Sequence, residues 1–109
     1  MKNDGAAGPE VEIQPGFTAL VNDDDMIELV RRNATWLAGA DNLVVYDKPN
    51  MGVEDFAFFL SEVPGAFYSL GVRNEAAGIV HPIHHELFDV DESAMALAAA
   101  LQALNAITA

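Results

Sequence analysis

LVVYDKPNMGVEDFAFFLSEVPGAFYSLGV, residues 43–72, is the stretch on which the fold turns. Leu43 to Asp47 are β-branched and almost wholly apolar, the composition of a strand covered on both faces. Lys48 to Gly52 carry the proline and glycine of a loop. Glu54 and Asp55 place negative charge where a helix begins, and Phe56, Phe59, Leu60 and Val63 are expected on its inward face. Pro64-Gly65 ends that helix, and residues 66–72, AFYSLGV, read as a second strand. Strand, short helix, strand in about thirty residues is the βαβ pattern, which predicts parallel strands joined by a right-handed crossover. The expected fold class is therefore α/β, a parallel βαβ core with flanking helices.

The flanks extend this order to β-α-β-α-β-loop-α. Residues 1–10 are small and polar and read as a flexible segment. Val11 and Ile13 alternate with polar neighbours as in a half-buried strand, interrupted by Pro15-Gly16. A helix is expected from Asn22, whose side chain caps the first turn, with Asp23, Asp24 and Asp25 complementing the dipole. Ile27, Val30, Ala34 and Leu37 then form one apolar face, Trp36 lies beside it as a core or interface residue, and Gly39 is the stop. After a histidine-bearing loop, Asp91 is expected to cap a last helix carrying Leu97, Leu101 and Leu104.

Composition removes several classes of function. The 109 residues make one small domain with no visible internal repeat. A hydrophobic fraction of 51% with 20% charged residues belongs to a globular rather than a disordered chain. Seventeen acidic against five basic residues give a net charge of −12, which repels nucleic acid and anionic membrane surfaces. No cysteine is present, so disulfides, thiolate metal sites and thiol nucleophiles are absent, and a cytoplasmic location is expected. The N-terminal MKNDGAAGPE has no signal-peptide core, and the alanine-rich C-terminal run is broken by Gln102 and Asn105, so no membrane span is expected.

Two constellations carry chemistry. VHPIHHELFDVDE, residues 80–92, holds all three histidines, His81, His84 and His85, followed by Glu86, Asp89, Asp91 and Glu92. Neutral imidazoles after the carboxyl end of a strand suit a divalent metal, yet HxxHH has no closed-site spacing, and solvent-exposed histidines remain the alternative. MGVEDF, residues 51–56, feeds Glu54 and Asp55 into a helix start; it reads as a site rim or as simple dipole complementation. Phe56, Phe58, Phe59, Phe67 and Tyr68 read as core. The Asp23–Asp25 run lacks the glycine and terminal glutamate of a calcium loop. No nucleophile elbow, phosphate loop or dinucleotide fingerprint occurs.

Taken in order, FTALVND, MGVEDFAFFLSEVPGAFYSLG and PIHHELFDVDE resemble the C-terminal portion of the metal-dependent amidohydrolases that include hippurate hydrolase and the indole-acetyl-amino-acid hydrolases. That resemblance runs from about Val11 to the end. It implies the C-terminal part of a di-zinc-exopeptidase-like catalytic domain over residues 22–109, preceded by the last strand of a lid or dimerisation domain and a linker over 11–21. It implies hydrolysis of N-acyl or N-aroyl amino acid amides by the complete protein, with zinc or manganese as cofactor and small acyl-amino acids as substrates. His84 matches the family's metal-binding histidine, while Met51, Gly52, Glu54 and His85 would stand at the site rim. Glu86 departs from the proline many relatives carry there. No catalytic base matches within these residues, so this chain alone is expected to be inactive, to bind little or no metal, and to self-associate. A non-catalytic acidic interaction module with exposed histidines is the alternative.

Overall fold

The computed structural model describes residue 5 and residues 7–109. Part of the expected flexible segment 1–10 thus lies outside the described residues. Among the described residues three helices form: α1, Asp24–Ala38; α2, Phe56–Leu60; and α3, Ala94–Thr108. Single 3₁₀ turns occupy Ala40–Asn42 and Glu75–Ala77.

Helix α1 forms as its pattern dictates, with one change at its start. Asp23, not Asn22, is the cap: its Oδ1 accepts from the Met26 amide at 3.0 Å. Gly39 ends the helix with φ 85°, a backbone position that glycine adopts without a Cβ penalty. The Ile27, Val30, Ala34 and Leu37 face turns inward, with Val30 buried. Its partner is α3, which presents Ala94, Ala98 and buried Leu101 on one stripe. Leu97, which was expected to carry that face with Leu101, is more than one-third exposed, because small alanines take the close-packed positions instead.

Against the last turn of α3 lies Asn33, the one buried polar side chain among the described residues. Its Nδ2 donates to Asn105 Oδ1 at 2.9 Å and to Thr108 Oγ1 at 2.8 Å. Asn105 reaches onward to the Tyr68 hydroxyl at 3.5 Å. Burial raises the Tyr68 phenol above its ordinary value, and the Asn105 contact partly offsets that.

Asn22, released from capping, joins α1 to the chain after α2. Its Nδ2 donates to the Phe67 carbonyl at 3.0 Å and its Oδ1 accepts from the Phe67 amide at 2.7 Å. The Asp23 amide adds a bond to the Gly65 carbonyl at 2.9 Å. A side-chain amide here takes the place of a neighbouring strand.

No β-ladder forms among the described residues; the single β-bridge is Asn74 to Ile79. The stretches 11–13, 43–47 and 66–72, expected as strands, run without ladder partners. A strand needs a neighbour for its peptide groups, and none of these stretches pairs with another. Helix α2 also departs from its pattern. Ala57 is its buried residue, while Phe59 and Val63 face solvent, because five residues are too short to present a stripe from 56 to 63. The aromatic residues meet one another rather than a sealed core, with Phe56 5.6 Å from Phe67 and 5.8 Å from Phe59 between ring centroids. Trp36 is 78% exposed, which removes the core reading for it.

The outcome is an open molecule. Its radius of gyration is 20.7 Å, where a compact chain of this length has about 13 Å. Its accessible surface is 9457 Å², against roughly 5,900 Å² for a compact protein of this mass.

Replacing Asn33 tests this polar contact between the helices. Asn33→Ala removes both donors and strands Asn105 Oδ1 between the helices, so stability should fall by about 1–3 kcal/mol. A lower urea midpoint followed by helical circular dichroism is the expected result; an unchanged midpoint would show that the helix pair does not depend on this bond.

Candidate functional site

The histidine loop is tied down at both ends. On its N-terminal side, Asn74 and Ile79 exchange backbone hydrogen bonds of 2.9 Å around a turn that Gly78 closes with φ 74°. Arg73 Nη1 donates to the Val80 carbonyl at 3.1 Å and the same side chain pairs with Glu75. On the C-terminal side, the Asp91 amide donates to the Val72 carbonyl at 2.9 Å. Asp91 Oδ2 accepts from Asn74 Nδ2 at 2.9 Å, and its Oδ1 accepts from the Ser93 amide at 3.0 Å. Asp91 therefore caps the approach to α3 rather than a helical amide, and it latches the two ends of the loop together. Hydrogen bonds from the Ser93 side chain, the Asn74 side chain and the Ser93 backbone hold its carboxyl below the usual aspartate range.

Between these ties the chain makes two consecutive turns, His85 N to Pro82 O at 3.2 Å and Phe88 N to His85 O at 2.9 Å. His81 and His85 stack, with ring centroids 4.3 Å apart and planes within 9°. His85 Nδ1 accepts from the Leu87 amide at 3.0 Å, which places its remaining proton on Nε2. His84 takes no part in the stack. It is exposed and has φ 69°, the one positive φ at a non-glycine among the described residues. That conformation costs on the order of 1–2 kcal/mol, and such local strain gathers at functional positions.

The other residues expected at a site rim lie on a separate turn. Gly52 N donates to Asn50 Oδ1 at 2.7 Å, and Met51 is 95% exposed. Glu54 Oε1 accepts from the Phe56 amide at 3.2 Å at the start of α2. A concavity of about 400 Å³ opens at the α1 start and α2 exit, lined by Asn22, Leu60 and Gly65 among others, and no histidine lines it.

Among the described residues no three His, Asp or Glu side chains converge on one point. A catalytic zinc centre takes about three protein donors. The described residues thus do not by themselves fit a complete metal centre. Asn74 and Asp91 are the residues that sequence reasoning missed as loop supports; the pairing of a hairpin-start asparagine with an aspartate 17 positions on has no local signature.

Comparison with known proteins supplies the context. The model of peptidase family M20/M25/M40 matches residues 8–106. Among curated proteins, the chain is 35% identical over 102 residues to "Putative amidohydrolase YhaA" of Bacillus subtilis, covering 94% of this chain and 26% of that protein. It is 34% identical over 91 residues to "Thermostable carboxypeptidase 1" of Saccharolobus solfataricus, covering 84% and 22%. It is 47% identical over 53 residues to "IAA-amino acid hydrolase ILR1-like 6" of Arabidopsis thaliana, covering 49% and 11%. The chain thus spans about a quarter or less of the length of these relatives. No solved structure matches. No helix among the described residues is long and apolar enough to cross a membrane.

The latch makes a pH-dependent prediction. Asp91 is more acidic folded than unfolded, so its stabilisation is complete above the unfolded aspartate value near ~3.9 and is lost as pH falls through the lower folded value. The difference in urea midpoint between wild type and Asp91→Asn should therefore shrink on acidification from neutral pH to below pH ~3.9. A pH-independent difference would remove the ionised carboxylate from the account.

Proposed function

The chain belongs to peptidase family M20/M25/M40, and from that membership we propose that it is the C-terminal segment of a metal-dependent amidohydrolase. The proposed substrates are small N-acyl or N-aroyl amino acids. Names among the relatives support the class: one is a putative amidohydrolase, one an IAA-amino acid hydrolase and one a carboxypeptidase. In this reading residues 22–109 belong to a catalytic α/β domain and 11–21 to the end of a lid domain. The stretches 43–47 and 66–72 become parallel strands once neighbours supply their ladders.

The observation that carries the proposal is His84, an exposed imidazole held at φ 69° between a hairpin and the Asp91 latch. We assign it the role of metal donor. His85 braces it, with its Nδ1 occupied by the Leu87 amide, and Met51, Gly52 and Glu54 stand at the rim. Bound zinc or manganese, completed by donors outside this chain, would polarise the substrate carbonyl and acidify a water. The chain's own task is to hold one donor in place, since outer supports of that kind set metal affinity. The open shape of the molecule also supports self-association, as uncovered apolar surface seeks burial.

Transplanting residues 8–106 into the matching segment of a full-length relative tests this directly. The chimera should cleave an N-acyl amino acid, and His84→Ala should lower kcat/KM by about a hundredfold or more, while His81→Ala changes it little. A folded chimera whose activity ignores His84 would overturn the assignment. The isolated chain should show no metal-dependent turnover of hippurate above a mock purification, because one donor cannot hold a catalytic centre. Turnover that follows this chain through purification would defeat the segment reading.

A further inference from the structure

We propose that Asn74 and Asp91 are positioning residues for His84, an amide–carboxylate pair that holds the histidine loop in the shape that carries His84 on its left-handed backbone. The inference rests on the reading of His84 as a metal donor.

Asn74 is where the two ends of the loop meet, and each of its polar groups is in use. Its backbone amide and carbonyl both bond to Ile79 at 2.9 Å. Its Oδ1 accepts from the Ala77 amide at 3.1 Å and so caps the 3₁₀ turn Glu75–Ala77. That leaves its Nδ2 to donate to Asp91 Oδ2 at 2.9 Å. Asp91 is committed in the same manner, its amide to the Val72 carbonyl and its Oδ1 to the Ser93 amide. Both residues are half-buried. The pair thus ties the hairpin to the approach of α3 across 17 positions of sequence, where an untied chain samples many shapes.

The residues between them depend on that tie. Among the described residues, the hydrogen bonds donated by the amides of 81–90 stay inside the loop: His85 to Pro82, Phe88 to His85, Leu87 to His85 Nδ1 and Val90 to Asp89. These bonds shape the loop without attaching it to the helices. Attachment comes from the ends, and His84 keeps its φ of 69° while the ends hold the chain in register. Supports one step behind a ligand set its affinity in this way.

The contact is also directional. Asn74→Asp would set two carboxylates against each other, and Asp91→Asn would set two amide nitrogens face to face. Turning an amide over relieves that clash only by giving up the Ala77 or the Ser93 bond. Making both changes restores the match. The carboxylate at position 74 then accepts from the Ala77 amide, while the amide at position 91 accepts from Ser93 and donates across the gap.

This exchange is the test, made in the chimera described above and in the 109-residue chain. Zinc affinity of the metal-free chimera, measured against a competing chelator, should fall at least about tenfold in Asn74→Asp and in Asp91→Asn. It should recover in the double variant Asn74→Asp/Asp91→Asn. In the chain alone, amide exchange at His85, Phe88 and Asp91 should quicken in each single variant and slow again in the double. Asn33→Ala loosens the helix pair away from the loop and should leave zinc affinity unchanged. Single variants that match wild type, or a double variant that recovers nothing, would overturn the pair. So would an Asn33→Ala loss as large as theirs, since general destabilisation would then explain both. Unchanged zinc affinity in His84→Ala would instead overturn the donor reading, and amide exchange would still decide whether the pair holds the loop.

Discussion

The buried amide of Asn33 holds the largest contact in this protein in register. Helices α1 and α3 lie far apart in sequence, and each alone is a fifteen-residue segment of marginal stability in water. Packing Val30 and Leu101 between them gives the pair its apolar core, but apolar contact tolerates sliding. Asn33 does not. Both of its N–H bonds are satisfied only when Asn105 and Thr108 stand beside it, and a one-turn slip would bury unpaired donors. Polar specification of this kind matters in a chain whose core consists of very few buried side chains.

From that pair the rest of the structure hangs by short polar ties. Asn22, one residue before the α1 cap, holds Phe67 by both backbone groups and so fixes the chain that leaves α2. Asp91, shortly before α3, holds Val72 and Asn74 and so fixes the loop that bears the histidines. The helix pair sets where these ties begin, and the ties set where the loop lies. His84 inherits its position from this chain of supports, with its strained φ maintained by turns on either side. Strain at one residue persists when its surroundings over-determine it, and the paired turns at Pro82–His85 and His85–Phe88 do so here.

The same economy leaves much uncovered. Val44, Tyr46 and Trp36 are exposed to a degree unusual for such side chains, and the stretch 43–47 has no protein partner for its peptide groups. In family M20/M25/M40 the match extends over nearly all of this chain but only a small part of its relatives. Stretches that read as buried strands lie uncovered among the described residues, in keeping with the open shape and the large surface.

Much was legible in the sequence. The periodicity of Ile27, Val30, Ala34 and Leu37 determined α1, Gly39 determined its end, and the alanine-rich run determined α3, because helices satisfy their own backbone and need only a face to bury. The order of MGVEDF, PGAF and HHELFDVDE determined the family through residues alone. Tertiary structure decided the rest. Asn22 reads locally as a helix cap, and only the approach of Phe67 diverts it into a backbone clamp while Asp23 caps instead. Apolar residues 43–47 read as a strand, yet a strand is a relation between segments, and no neighbouring segment answers it here. Three histidines in five positions look alike on the page. His81 and His85 stack on one another while His84 stands apart on a left-handed backbone, a difference made by contacts and dihedral angles that no spacing encodes.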